Sequence, residues 1–214
     1  TGIITPVDRR QALLQWAKEG DRYIIEDDYD SEFRFNSHPM PAMYSPQGRV
    51  IYMNTFSKSL APSIRISYMV LPPELMAVFR KNLGFYSCTV SSFEQYTLAR
   101  FLDRGYFEKH INRMRKFYKA RRNRVISALK ESHWAPRLTI LEQDAGLHFL
   151  LKVNTELPDA VLAEKLEMGG IRIKPISCYY HLPAGEDPHL FVVNYSVLDE
   201  NVLEQVLEGL PRLL

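Results

Sequence analysis

The stretch from residue 50 to residue 72 constrains the fold most, because two apolar runs rich in strand-forming residues flank a polar turn. The second run, residues 66–71, is stopped by a pair of prolines, so the pattern predicts two buried strands joined at the turn. The turn carries one lysine, Lys58, among hydroxyl side chains, and Arg65 stands where the second run begins. An amine and a guanidinium are therefore expected at one end of a sheet.

These two cations suit a cofactor that has both an aldehyde and a phosphate. Lys58 can act as a nucleophilic amine if burial or neighbouring charge lowers its pKa, and a guanidinium matches phosphate in a bidentate way. Thr55 and Ser57 offer hydroxyls beside the amine. Each residue also has an ordinary interpretation: Lys58 as a surface lysine, and Arg65 as the partner of a protein carboxylate.

An acidic cluster follows an earlier predicted strand. The apolar residues 23–25 predict a buried strand, and Glu26, Asp27 and Asp28 close it. Ligands of open α/β sheets lie at such strand ends. Asp27 could face a pyridine nitrogen and keep it protonated, and Tyr29 could hydrogen-bond the phenolic oxygen of the same ring. A solvated acidic turn is the alternative.

The rest of the chain predicts an α/β fold in two parts. Helical patterns begin after Thr5, the expected N-cap, and recur at residues 74–81, 93–103 and 106–130. Strand-like runs at 138–141, 147–151, 171–173 and 190–195 then alternate with helices at 158–168 and 199–210. We place a domain boundary within the long helix, which gives domains of residues 1–115 and 116–214.

Composition excludes several classes of protein. The 214 residues have a net charge of +2, which gives no general attraction to nucleic acid or to a membrane surface. Cys88 and Cys178 have neither metal-binding nor redox spacing, so we expect no metal site and a reduced, cytoplasmic location. The first residues resemble the middle of a loop, and we expect a piece of a longer protein.

Two motifs carry a family resemblance, EDDYDSEF at residues 26–33 and YMNTFSKSLAPSIRISY at residues 52–68. Together they resemble the aminotransferase-like domain of MocR/GabR-type regulators of the GntR family, a fold-type I pyridoxal-phosphate module. The resemblance implies part of the large cofactor domain in residues 1–115 and a small α/β domain in residues 116–214. It implies pyridoxal 5'-phosphate as the cofactor, held by Lys58 as an internal aldimine, Asp27 at the pyridine nitrogen, Tyr29 at the phenolic oxygen, and Arg65, Thr55 and Ser57 at the phosphate.

The resemblance also implies a function. An amino-compound effector would exchange onto the cofactor as an external aldimine and alter DNA binding by an N-terminal winged-helix domain that this sequence lacks. Such regulators form head-to-tail homodimers and are sensors rather than enzymes. The alternative is a class I/II aminotransferase that transfers amino groups between an amino acid and a 2-oxo acid, with Lys58 as the proton-shuttling base.

One departure concerns the effector. GabR has an arginine for the effector's carboxylate at the position of Val197, and aminotransferases have one at the position of Val192. Without it a carboxylate lacks a bidentate partner, so γ-aminobutyrate is not expected as the effector. Arg172, Lys174 and His148 are possible substitutes, although structural roles suit all three.

A basic stretch at residues 109–124 contains eight Lys or Arg residues. Phosphate groups attract such clusters, so contact with DNA is one interpretation. A solvated helix face is the interpretation that we favour, because apolar residues recur through the same stretch at helical spacing. The two cysteines fit ordinary core or loop positions.

Overall fold

The computed structural model describes residues 4–35, 41–44, 48–141, 144–168, 170–181, 187–198 and 207. The chain divides into two compact units. The three-strand unit comprises Thr5–Glu32 and His38–Met114, and the four-strand unit comprises Thr1–Ile4, Phe33–Ser37 and Arg115–Leu214. No helix in the described ranges is long and apolar enough to cross a membrane.

The three-strand unit has a mixed sheet in the order β1-β2-β3. Strand β1 (Ile24–Asp27) runs parallel to β2 (Val50–Thr55), and β3 (Ser67–Val70) runs antiparallel to β2. The register sets Asp27 opposite Met53, and Thr55 opposite Ser67. The carboxyl ends of β1 and β2 therefore lie side by side.

The helices of this unit are α1 (Val7–Glu19), α2 (Phe56–Ser59), α3 (Pro73–Leu83) and α4 (Ser92–Asp103). Their ends follow local chemistry: Pro72 precedes α3, and the Ser91 hydroxyl accepts a hydrogen bond from the Glu94 amide at the start of α4. Thr5 is not the cap of α1, because Pro6 occupies that position and makes no side-chain bond.

The expectation that the strands of this sheet are buried is wrong for one face. Ile25 is 65% exposed and Met69 is 46% exposed, and both lie on the face that carries Asp27 and Met53. The opposite face is better covered, and Val50 and Asn54 are buried. Asp27 therefore projects from the open face of the sheet.

The long helix α5 (Tyr106–Glu131) contains the boundary between the units, which falls after Met114. Beyond it, the four-strand unit has an antiparallel sheet in the order β4-β5-β7-β6. Its elements are β4 (Leu138–Leu141), β5 (His148–Val153), α6 (Asp159–Met168), β6 (Lys174–Pro175) and β7 (Leu190–Asn194), with 3-10 turns at Ala135–Arg137 and Ile176–Tyr179.

The core of the four-strand unit lies between its sheet and helices, where Val125, Phe149, Leu162, Phe191 and Tyr195 are fully buried. The strand predicted at residues 171–173 is instead the short β6, displaced toward the C-terminus. The helix predicted at residues 199–210 lies outside the described residues, apart from position 207.

Candidate functional site

The turn that carries Lys58 is built by a helix cap. Strand β2 ends at Thr55, and helix α2 begins at the next residue. The Thr55 hydroxyl accepts a hydrogen bond from the Ser57 amide at 3.2 Å, and the Phe56 amide donates to the Ile66 carbonyl at 2.9 Å. These bonds fasten the start of the helix to the returning chain, so the position of Lys58 follows directly from the strand.

Arg65 is hydrogen-bonded to Ser57 at the start of α2 and is the candidate donor to an anion. The Arg65 guanidinium donates through Nη1 to the Ser57 hydroxyl at 3.3 Å, and that hydroxyl donates to the Ile64 carbonyl at 2.7 Å. Among the described residues no carboxylate pairs with Arg65. Of the two partners that the sequence allowed, a bound anion therefore fits better, because most guanidinium donors are left for a ligand.

The amine of Lys58 is available. Its side chain is exposed, and it makes no hydrogen bond or ion pair with any residue in the described part of the chain. A lysine tied to a carboxylate would have to break that pair before it could attach to a ligand. Lys58 has no such pair to break.

Asp27 and Tyr29 lie at the neighbouring strand end. Asp27 is the last residue of β1 and lies on the exposed face of the sheet, so it belongs to the strand and not to the turn that follows. The pKa of Tyr29 is raised, first by the charge of Asp30, then by partial burial and by Asp27. The phenol therefore keeps its proton and remains a hydrogen-bond donor near neutral pH.

A polar network on the other face of the sheet was not found from the sequence. Tyr52 donates from its hydroxyl to Asp28 Oδ2 at 3.0 Å, and Asn54 Nδ2 donates to the same hydroxyl at 3.0 Å. Ser31 also donates to Asp28, at 2.8 Å. The sequence feature that could have indicated this network is the alternation of Tyr52 and Asn54, which places both side chains on one face of β2. It points to Asp28 only once β1 is known to pair with β2.

The residues considered for the effector's carboxylate lie together in the four-strand unit. Arg172 is exposed and binds Glu167 through two nitrogens, at 3.0 and 2.9 Å, which is the ordinary structural role. It lines a cavity of about 440 Å³ in this unit, with His148, Lys174, Val192 and Val197 also in the lining. Val197 is 76% exposed.

The basic stretch in α5 has structural partners as well as solvated residues. Arg121 donates to the carbonyls of Ser196 and Leu198, and Arg122 is 4% exposed with its guanidinium 4.8 Å from the centre of the Phe35 ring. These two cations stabilise the four-strand unit and are not free for DNA. Cys88 and Cys178 are both exposed thiols.

The residues of the three-strand unit fit an aldehyde cofactor that carries a phosphate. A free amine, a hydroxyl–guanidinium pair and a carboxylate at the next strand end provide one group for each part of such a molecule. No cluster of three or more His, Cys, Asp or Glu side chains that could hold a metal occurs within the described ranges.

Comparison with known proteins agrees with this chemistry. The family model described as aminotransferase class I and II matches residues 1–210. The chain is 41% identical to the uncharacterized HTH-type transcriptional regulator YhdI of Bacillus subtilis, covering 84% of this chain and 38% of that protein. It is 38% identical to the probable rhizopine catabolism regulatory protein MocR of Rhizobium meliloti, covering 98% of this chain and 42% of that protein.

Among solved structures, the kynurenine aminotransferase of Pyrococcus horikoshii, crystallised in complex with PMP, superposes with a TM-score of 0.81 at 30% identity. The match covers 99% of this chain and 52% of that one. The predicted fold class, a fold-type I aminotransferase-like α/β fold, is thereby confirmed. The chain spans about half the length, or less, of all three proteins.

Proposed function

Because the chain belongs to the aminotransferase class I and II family, we propose that it is the cofactor-binding, effector-sensing part of a MocR-type transcriptional regulator. The observation that carries the proposal is that Lys58 is exposed and unpaired among the described residues and follows directly after Ser57, which is hydrogen-bonded to Arg65. The regulator is favoured over an enzyme because identity to the two regulators, 41% and 38%, exceeds the 30% to the aminotransferase.

The cofactor is pyridoxal 5'-phosphate. When bound, it supplies an aldehyde that accepts amines and a ring that withdraws electrons. Lys58 would hold the aldehyde carbon through its amine, and Arg65 would donate to the phosphate, with Ser57 and Thr55 beside it. The Asp27 carboxylate would keep the pyridine nitrogen protonated, and Tyr29 would donate to the phenolic oxygen, a role that its raised pKa supports.

Sensing follows from competition for the same carbon. An amino compound that took the place of the Lys58 amine would leave that side chain free, so the protein with effector would differ from the protein without it in the charge and freedom of Lys58. Such a difference gives the effector unequal affinity for two states of the protein, which any ligand switch requires. The response passes to a DNA-binding domain outside this chain.

The arrangement of the whole regulator extends this proposal. Residues 1–115 would be the later part of the large cofactor domain, and residues 116–214 the small domain. The protein would act as a head-to-tail homodimer, and it would work in the cytoplasm because its DNA target lies there.

A second function has its own support. The 30% identity and the TM-score of 0.81 with a kynurenine aminotransferase favour an enzyme that uses Lys58 as the proton-transferring base. Given an amino donor and a 2-oxo acid that accepts the amino group, an enzyme would release keto acid over many turnovers, whereas a sensor would convert at most one equivalent per cofactor.

One experiment tests both functions on the full-length protein. Addition of pyridoxal phosphate should produce an absorbance band at about 420 nm, and Lys58→Ala should abolish it. A matched lysine change at an exposed position on α3, Lys81→Ala, should keep the band. A band that survives Lys58→Ala means that the assignment of the lysine is wrong. Keto-acid release beyond one equivalent per cofactor, with an amino donor and a 2-oxo acid both present, means that the protein is an enzyme.

A further inference from the structure

A continuous chain of hydrogen bonds connects the two segments that hold the candidate cofactor residues. It runs from Ser31 to Asp28 at 2.8 Å, from Asp28 to the Tyr52 hydroxyl at 3.0 Å, and from that hydroxyl to Asn54 at 3.0 Å. Asn54 Oδ1 then accepts a hydrogen bond from the Thr55 amide at 2.5 Å. All five residues lie in the three-strand unit.

This series of hydrogen bonds lies next to a proposed cofactor contact on both strands. Asp28 stands between Asp27 and Tyr29 in sequence, and its amide donates to the Met53 carbonyl at 2.9 Å. At the other end, Thr55 is the cap of the helix that carries Lys58. The hydrogen bonds therefore link the Asp27–Tyr29 segment to the Lys58 turn through side chains, in addition to the pairing of β1 with β2.

The Tyr52 hydroxyl is the central link. It is the donor to Asp28 and the acceptor from Asn54, so its loss would leave both groups short of a partner. Asn54 is 6% exposed, and water cannot easily replace the lost acceptor at a buried amide. Burial, as the largest cause, raises the pKa of Tyr52, and the hydrogen bond to Asp28 also raises it, so the donor keeps its proton.

We propose that Asp28, Tyr52 and Asn54 are positioning residues, which hold Asp27 and Tyr29 at the correct distance from Lys58 for one cofactor ring to meet all three. The proposal rests on the function proposed above. None of the three needs to touch the cofactor. Asp28 and Asn54 instead face away from the open side of the sheet on which Asp27 projects.

Tyr52→Phe in the full-length protein tests this role, because it removes one oxygen and keeps the ring. We expect the dissociation constant for pyridoxal phosphate to rise about three- to tenfold, the effect of one or two lost hydrogen bonds. We also expect the pH midpoint of the cofactor's absorbance band to shift, since Asp27 and Tyr29 tune the ring. Affinity of the cofactor-free protein for inorganic phosphate should fall much less than affinity for the cofactor, because Arg65 and Ser57 are untouched and Thr55 is linked to Tyr52 only through Asn54.

Tyr96→Phe is the matched control, since this tyrosine of α4 is 72% exposed. It should change none of the three measurements. If Tyr52→Phe keeps the wild-type affinity and pH midpoint while the band still depends on Lys58, the positioning role alone is wrong. If it weakens phosphate and cofactor binding equally, Tyr52 has only a structural role and the inference is overturned. If the wild-type protein shows no Lys58-dependent band, the proposed function fails and the inference fails with it.

Discussion

In the candidate anion site, the orientation of Arg65 depends on one atom, the hydroxyl oxygen of Ser57. It donates to the Ile64 carbonyl and accepts from Arg65, so the guanidinium is directed toward the start of α2 before any ligand arrives. A preorganised donor loses less side-chain entropy on binding than a free one. We therefore expect Arg65 to contribute most of the phosphate affinity of the proposed site.

Replacement of Arg65 should show this directly. We expect Arg65→Gln to raise the dissociation constant for pyridoxal phosphate at least about tenfold, because a charge-assisted hydrogen bond is lost. The dissociation constant of Arg65→Lys should lie between those of the wild type and Arg65→Gln, since an ammonium keeps the charge but not the planar arrangement of donors. Fluorescence titration with the cofactor measures both. Arg80→Gln, an exposed change on α3, should have no effect, and equal losses in all three variants would contradict the assignment.

Glu32 gives the three-strand unit a pH-dependent stability. Burial, the largest cause, raises the pKa of its carboxyl; the charges of Asp28 and Asp30 raise it further, while hydrogen bonds from its own backbone and from Asn54 lower it. The Tyr68 phenol faces the same carboxyl. Because the folded state prefers the protonated acid, this contribution to stability is complete below the ordinary pKa of 4.5 and is lost as the pH rises through the folded-state pKa.

Glu32→Gln should remove the loss of stability at higher pH, since the amide resembles the protonated acid. We expect urea denaturation to give equal free energies of unfolding for variant and wild type at about pH 4, with the variant increasingly favoured toward about pH 7. Glu108→Gln, at an exposed position on α5, should leave the difference the same at both pH values. A Glu32→Gln difference that does not change with pH would refute the explanation.

Single residues also mark the limit of prediction from sequence. Lys58, Arg65 and Asp27 were found because each follows or precedes an apolar run, which is a local signal. The link from Asp28 to Tyr52 was not found, because the two residues are far apart in the chain and meet only through the parallel register of β1 and β2. Side-chain partners of this kind depend on tertiary pairing.

At the scale of elements, α2 is the smallest helix and the most consequential. Four residues cannot form a stable helix alone, so its cap and its bonds to the returning chain maintain it. The Thr55 hydroxyl accepts from the Ser57 amide and also lies within hydrogen-bonding distance, 3.2 Å, of the Ile66 carbonyl. Loss of this hydroxyl affects both the helix and the candidate site.

Thr55→Val keeps the shape of the side chain and removes the hydroxyl. We expect a loss of about 1 kcal/mol in the free energy of unfolding, together with weaker cofactor binding. Ser91→Ala removes the equivalent cap of α4 and should cost a similar amount of stability without changing cofactor affinity. Chemical denaturation and cofactor titration separate the two effects, and unchanged cofactor affinity in Thr55→Val would show that the cap serves folding alone.

Most elements were predictable, because helix periodicity and capping are local. The predicted helix at residues 106–130 is observed as Tyr106–Glu131, and the strand predicted at 138–141 has the same bounds. The strand predicted at 171–173 was displaced, because only Lys174 and Pro175 find pairing partners on β7. The sequence also did not predict that the sheet face carrying Asp27 and Met53 is exposed, since burial depends on what packs against a strand and not on the strand's composition.

At the scale of the whole molecule, recognition of the effector is the step with the fewest assigned residues. GabR, which the motifs resemble, has an arginine at the position of Val197, and this chain has none there. Of the substitutes considered, Arg172 is already paired with Glu167, while Lys174 and His148 line the same cavity as Val197. An amine alone would satisfy the proposed chemistry at Lys58, so the proposal also accommodates an effector without a carboxylate.

Because GabR has its carboxylate-binding arginine at the position of Val197, Val197→Arg should create carboxylate recognition in the full-length protein. Val197 is 76% exposed, so an arginine has room there without disturbing the core. We expect the wild type to bind an ω-amino acid and the matched alkylamine with similar affinity, and the variant to bind the amino acid at least about tenfold more tightly, through a bidentate contact. The change in cofactor absorbance on titration measures both. Met168→Arg, at a similarly exposed position, should not discriminate between the ligands. If the wild type already prefers the amino acid by that factor, another residue binds the carboxylate and the effector is an amino acid after all.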